Sequence, residues 1–210
     1  MDPVKEHSLI FSAPMILALL EGRKTQTRRV ARLTPEQQAY MLSTSKPDGR
    51  ELGWCPYGSV GGAIWVRETF SIVWPAGCDD GIVYDEDHPD GRPIADRECS
   101  VAYRATGDTP AVDEETDREM WKPSIHMPRW ASRLTLTITA LGLERLCSIT
   151  EEDAIAEGVE PSDEDRETHP QAPHVQAYYR LWDKLNGDRA PWIENPFVWA
   201  ISFPRIGRPA

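Results

Sequence analysis

The stretch "GRKTQTRR", Gly22 to Arg29, places four cations and no acid in eight positions of a chain whose formal net charge is −11. It supplies an amine (Lys24), hydroxyls (Thr25, Thr27) and guanidinium forks (Arg23, Arg28, Arg29) at a helix-to-strand corner. Such groups suit a phosphate, a carbonyl oxygen or a base edge. The residues alone leave a plainer alternative open. Arg23 and Lys24 follow a helix end, where a cation gains about 0.3–1 kcal/mol from the dipole, and Arg28 and Arg29 would then be solvated surface charges.

Three further places carry chemistry. Glu157 stands just before Gly158 in the last turn of a helix, where the dipole opposes a carboxylate. A glutamate tolerated there is either exposed and screened or held by a cation, for which Lys24 is the candidate. "WKPSIHMPRWASR" interleaves Trp121, Lys122, His126, Arg129, Trp130 and Arg133. Aromatic and cationic side chains in that order can stack a base and hold a phosphate, or can form an ordered loop with the tryptophans in the core. Glu68 in "WVRETF" alternates onto the apolar side of Val66 and Phe70, so it needs a partner. An arginine of the basic stretch is one choice, and a structural ion pair is the expected role. Cysteines and histidines show no metal-ligand spacing, and there is no phosphate-cradling glycine loop, so neither metal nor cofactor is expected.

The elements that must position these groups are short. "SLIF" reads as a strand. Ser12 can cap a helix with Pro14 in its first turn, Ile16, Leu19 and Leu20 form its apolar face, and Gly22 stops it. "TQTRRV" alternates as a strand or extended segment, and "AIWVRETFSIV" (Ala63 to Val73) is a strand region with "SVAYRA" as its partner. In "SRLTLTITALGLERL" the apolar Leu134, Leu136 and Ile138 alternate with threonines, the strongest strand signal of the chain. "ITEEDAIAEGV" offers Thr150 as cap with Asp153 in the capping-box position, stopping at Gly158. "HVQAYYRLWDKLNG" is an amphipathic helix with Val175, Tyr178, Leu181, Trp182 and Leu185 inward. "PFVWAISF" closes the fold as a strand with Phe197, Trp199, Ile201 and Phe203 on one face. Several short strands with few helices predict a mainly β, α+β fold built on a curved sheet or barrel. One domain spanning 1–210 is expected, with acidic, mobile loops at about 75–98 and 161–173.

Apolar residues make up 40% of the chain and eight are tryptophan, enough for a core. No apolar run approaches the roughly 18 residues of a membrane span. The start "MDPVKEHSLIF" lacks the pattern of a signal peptide. Four scattered cysteines without a C-x-x-C pair predict a cytoplasmic protein with reduced thiols. The acidic balance disfavours non-specific binding to DNA or anionic membranes, so any nucleic-acid contact must be local.

Taken together, "EGRKTQTRR", "CPYGSVGGAIWVRETF", "WKPSIHMPRWASRLTL", "ITEEDAIAEGV" and "FVWAISF" resemble the ASCH domain, a branch of the PUA-like β-barrels, in its larger phage and prophage form. Where such proteins read Gly-Asp before the "WVRE" strand, this chain reads Gly61-Gly62. The resemblance implies a PUA-like barrel in a bacterial cytoplasm. It also implies a modified nucleoside or single-stranded RNA as ligand, and hydrolysis of N4-acetylcytidine to cytidine and acetate without a cofactor. On the family's pattern Lys24, Thr27 and Glu157 match the catalytic residues. Arg23, Thr25, Arg28, Glu68, Trp121, His126 and Arg129 are the expected substrate-binding set. A base-binding module without catalysis, or an enzyme that activates a 2′-hydroxyl to cleave RNA, would use the same groups.

Overall fold

A computed structural model describes residues 6–44, 49–73, 100–113 and 115–204. Along the chain, strand β1 (Glu6–Ile10), helix α1 (Ala13–Leu20), β2 (Gln26–Val30) and α2 (Pro35–Ser43) come first. Strands β3 (Ala63–Arg67), β4 (Phe70–Val73), β5 (Ser100–Tyr103), β6 (Val112–Asp113), β7 (Arg118–Glu119), β8 (Thr135–Thr137) and β9 (Ala140–Arg145) follow. Helices α3 (Glu151–Ala156), α4 (Asp163–Thr168) and α5 (Pro173–Asn186) and strand β10 (Phe197–Ser202) complete it. The class is mixed α+β. Among the described residues the strands fall into two three-stranded sheets, β1-β3-β8 and β2-β10-β9, and two pairs, β4-β5 and β6-β7. No described helix is long and apolar enough to cross a membrane.

The chain divides into two compact units. One holds residues 18–63 and 137 onward; the other holds 7–17 and 64–136. In the first, β10 is the central strand, antiparallel to β2 and to β9, with Ala200 opposite both Arg28 and Gly142. Its residues Phe197 to Ile201 are all buried, so both faces of this strand are covered, not only the face of Phe197, Trp199 and Ile201. One face packs through Val198 and Val30 onto Leu146, Ile149, Ala154, Tyr178 and Trp182, which joins the sheet to α3 and α5. Leu185, expected inward on α5, is instead exposed.

In the second unit the region from Ala63 to Val73 is two strands rather than one. The break falls at Glu68 and Thr69, and β4 then pairs with β5 as expected, Phe70 opposite Tyr103. Phe70, Ile72, Met127 and Ala131 form the core there, with Trp130 packed against it.

The segment 161–173, read as a mobile acidic loop, carries helix α4. Ser162 caps it by accepting from the Asp165 N–H, and the Asp165 carboxylate accepts in return from the Ser162 N–H at 2.8 Å. Arg180 of α5 holds the same carboxylate. A capping box thus overrides composition, because the acids that suggest a loop complement the positive helix start. The other acidic segment, Pro75 to Glu98, lies outside the described residues.

Helix α3 begins as read, with the reciprocal Thr150–Asp153 box. It ends at Ala156 with Glu157 as cap, and next comes Gly158, where φ is +78° and an added Cβ would lie 2.9 Å from Lys24 Cβ and 3.0 Å from Ala18 Cβ. Glycine is required twice over, for the left-handed conformation and for the close approach. Gly158→Ala should therefore lose about 2 kcal/mol of stability. Urea unfolding checks this; a loss under about 0.5 kcal/mol would contradict the tight contact.

Candidate functional site

The basic corner is pinned at the backbone before its side chains act. The N–H groups of Arg23 and Lys24 both donate to the Ala18 carbonyl, at 2.9 and 3.0 Å, closing the end of α1. The Thr25 N–H donates to the Ala156 carbonyl at 2.7 Å, and the Thr25 carbonyl accepts from Phe203 N–H at 2.9 Å. The corner therefore ties the end of α1, the end of α3 and the end of β10 together.

Lys24 is turned fully inward, with no side-chain exposure, and its Nζ donates to Glu157 Oε2 at 2.7 Å and to the Glu157 carbonyl at 2.9 Å. Glu157 is 2% exposed in its side chain. This resolves the sequence oddity of an acid at a helix C-terminus: the ammonium serves the carboxylate and the terminal carbonyl at once. Arg23 adds a second cation there, its Nη1 donating to the Gly158 carbonyl at 3.0 Å while Glu21 and Glu160 flank it.

Arg28 is not a surface charge. Its side chain is 1% exposed and crosses the small Ala200 to reach Glu144 on β9, at 2.7 Å, and Asp153 of α3, at 3.1 Å. It also donates to the Gln26 side chain, and its Nη1 lies 3.6 Å from Glu157 Oε1. Burial alone would weaken its hold on the proton, but Glu157, Glu144, Tyr178 and Asp153 outweigh this and raise it. Asp153 thereby does two jobs, capping α3 and pairing Arg28.

Strand alternation separates the rest of the stretch. Gln26 and Arg28 face α3, while Thr27 turns to the other face of β2, opposite Ile201, where it is buried. The structure thus joins Lys24, Arg28 and Glu157 and places Thr27 on the reverse of the same strand. Thr25 is half-buried and contributes its backbone.

The remaining expected site residues belong to the second unit, where Glu68, Trp121 and Arg129 have partners. Glu68 is buried, as its place beside Val66 and Phe70 required, but its partner is Arg133 rather than an arginine of the basic stretch. The pair is bidentate, with both bonds at 2.9 Å. Arg133 also lies 3.9 Å over the Tyr103 ring. Burial raises the Glu68 carboxyl above its usual range, and Arg133 opposes that. Trp121 donates to Glu119 at 2.8 Å, with the Arg104 guanidinium 5.9 Å over its ring. Arg129 donates to the Thr135 hydroxyl at 3.1 Å. His126 is exposed in a 3-10 turn.

Tyr178, read as a core residue, carries a buried phenol that feels the Glu157 charge. It is 3% exposed, and its phenol is raised well above 10.0, by burial first and then by the Glu157 anion. The signal was a hydroxyl inside an apolar helix stripe, since a buried tyrosine O–H needs a partner. Among the described residues no group of three or more His, Cys, Asp or Glu is placed to hold a metal ion. Chemically, the cluster offers an amine and a carboxylate in contact, with a guanidinium beside them, all out of water. Comparison of the chain with family models, with curated proteins and with solved structures finds no match.

Burial lowers the Lys24 ammonium below the ordinary 10.5; Glu157 opposes this, and Arg29 and Arg28 push further down. The unfolded chain then binds more protons than the native one between the lowered value and 10.5, so stability rises with pH across that window. We expect the unfolding free energy of the wild type minus that of Lys24→Met to increase as pH is raised toward 10.5. A difference that falls with pH would show that the ammonium is favoured by folding instead.

Proposed function

We propose that the protein is a cofactor-independent amidohydrolase acting on N4-acetylcytidine, as nucleoside or within single-stranded RNA. The carrying observation is the buried contact between Lys24 and Glu157, in which an amine is held against a proton-accepting group and its charged form is disfavoured by burial. A lysine must lose its proton near neutral pH to act as base or nucleophile, and desolvation is the effect that makes this accessible. In this reading Glu157 orients the amine and carries a proton to the departing cytosine amine. Arg28 supplies positive charge beside the pair, where an oxyanion forming in a dry site gains most. The ASCH resemblance alone gives Thr27 a role in turnover, since strand β2 turns it to the face opposite Arg28. The PUA-like barrel, the cytoplasmic setting and the phage or prophage origin rest on the same resemblance. For Trp121, His126 and Arg129 of the second unit, RNA contact is likewise proposed from the resemblance.

A second reading has one observation in its favour. Lys24 has no exposed surface, so the pair can equally fasten β2 to α3 in a module that binds a modified base without changing it.

Acetate release from N4-acetylcytidine separates the two. We expect turnover by the wild type and a loss of at least about 100-fold in Lys24→Arg, which keeps the charge but cannot give up its proton near neutral pH. Thr27→Val should lose turnover while remaining folded. Near-normal turnover in Lys24→Arg would eliminate the lysine mechanism, and saturable binding without acetate release by the wild type would favour the module.

A further inference from the structure

Arg28 comes close to Glu157 without bonding to it. Its Nη1 stands 3.6 Å from Oε1, a buried oxygen with no hydrogen-bond partner among the described residues, while Oε2 receives the Lys24 amine at 2.7 Å. In a space closed to water, a guanidinium and such a carboxylate oxygen should close to about 2.8 Å unless the cation is held elsewhere. What restrains the cation is therefore informative.

The restraints fall on different nitrogens. Glu144 takes Nε at 2.9 Å and Nη2 at 2.7 Å through one oxygen, and Asp153 meets Nη2 at 3.1 Å. These fix the far side of the fork and leave Nη1, the nitrogen that faces Glu157. Nη1 donates to the side-chain oxygen of Gln26. Gln26 precedes Arg28 by two residues on β2, so strand alternation sets both on one face. The amide can be turned only one way. Arginine donates and does not accept, so the amide oxygen must face Arg28 and the amide nitrogen must point away. That nitrogen donates at 3.2 Å to the hydroxyl of Ser202, the residue opposite Gln26 on β10.

We propose that Gln26 is a positioning residue of this site: turned by Ser202, its amide oxygen holds Nη1 of Arg28 away from the Glu157 carboxylate, which keeps Oε1 open to a proton and Lys24 as the cation bonded to Oε2. The consequence in turnover rests on the amidohydrolase reading; the consequence for the pair does not. Around the pair stand Arg28 and Arg29 of β2, Asp153 of α3, Glu144 of β9 and Tyr178 of α5. Gln26 is uncharged, so replacing it alters none of these charges. Without its oxygen, Nη1 closes on Oε1. A carboxylate shared between two cations holds the Lys24 ammonium less tightly and takes up a proton less readily.

The test is Gln26→Met, which keeps the length of the side chain and removes the amide, with Gln38→Met at an exposed position of α2 as control. The Lys24 side-chain signals are titrated by NMR in lysine-labelled protein. In Gln26→Met the Lys24 ionisation should move down by about 0.5 pH unit or more, and in the control it should stay in place. Gln26→Glu, which keeps an oxygen on Nη1, should not lower it. The acid limb of the turnover profile should follow Lys24 downward, while the plateau falls about fivefold because Glu157 carries the proton less well. A folded Gln26→Met with unchanged or raised Lys24 ionisation overturns the proposal, whatever its activity, and so does a fall in Gln26→Glu. A lowered ionisation in Gln26→Met, where the wild type releases no acetate, upholds Gln26 and removes the amidohydrolase reading. Should Gln26→Met fail to fold, Ser202→Ala, which releases the amide from its seat, must shift Lys24 in the same direction; no shift overturns the proposal.

Discussion

An ammonium with no solvent exposure must be compensated where it stands, and in the larger unit that requirement orders everything around it. Lys24 needs Glu157 within bonding distance, so the end of α3 must come up to the corner that follows α1. That approach requires a residue without a side chain at 158 and is fixed by the hydrogen bond from the Thr25 N–H to the Ala156 carbonyl. Arg28 enters the same compact space and needs Glu144 and Asp153 in turn. Removing water from two charges costs several kcal/mol each, and such a pair is rarely the cheapest way to hold a strand to a helix. Retaining it makes sense if the amine is wanted in a partly desolvated, proton-losing state, which is the basis of the function proposed above.

The second unit solves a similar problem without that tension. Glu68 is nearly as buried as Glu157, yet it meets a guanidinium fork that matches both of its oxygens and whose other face rests on Tyr103. Arginine does not release its proton in this setting, so the arrangement is suited to holding structure. The contrast between a lysine paired at one oxygen and an arginine paired at two distinguishes a candidate reactive pair from a structural one.

Local signals were legible in the sequence where a single element decided the outcome. The Thr150–Asp153 box, the stop at Gly158, the β4–β5 pairing and the buried Leu134, Leu136 and Ile138 all follow from spacing and capping. The contact of Lys24 with Glu157 was an expectation from a misplaced charge and a resemblance, and the geometry joins them. What could not be read depended on groups remote in sequence. Arg133 rather than Arg28 serves Glu68, because which cation reaches a carboxylate is settled by tertiary packing. The face on which Thr27 sits depends on where strand β2 begins. Helix α4 was hidden by its acids, and Tyr178 by the apolar stripe around it.

A double-mutant cycle on the unfolding free energy, using Lys24→Met, Glu157→Met and the two together, tests the dependence most directly. Each single change leaves one buried charge without its partner and should cost about 3–5 kcal/mol, whereas the double change removes both charges and should cost far less than the sum. Single losses that simply add, to within about 0.5 kcal/mol, would mean that the two groups do not depend on each other and would contradict the account.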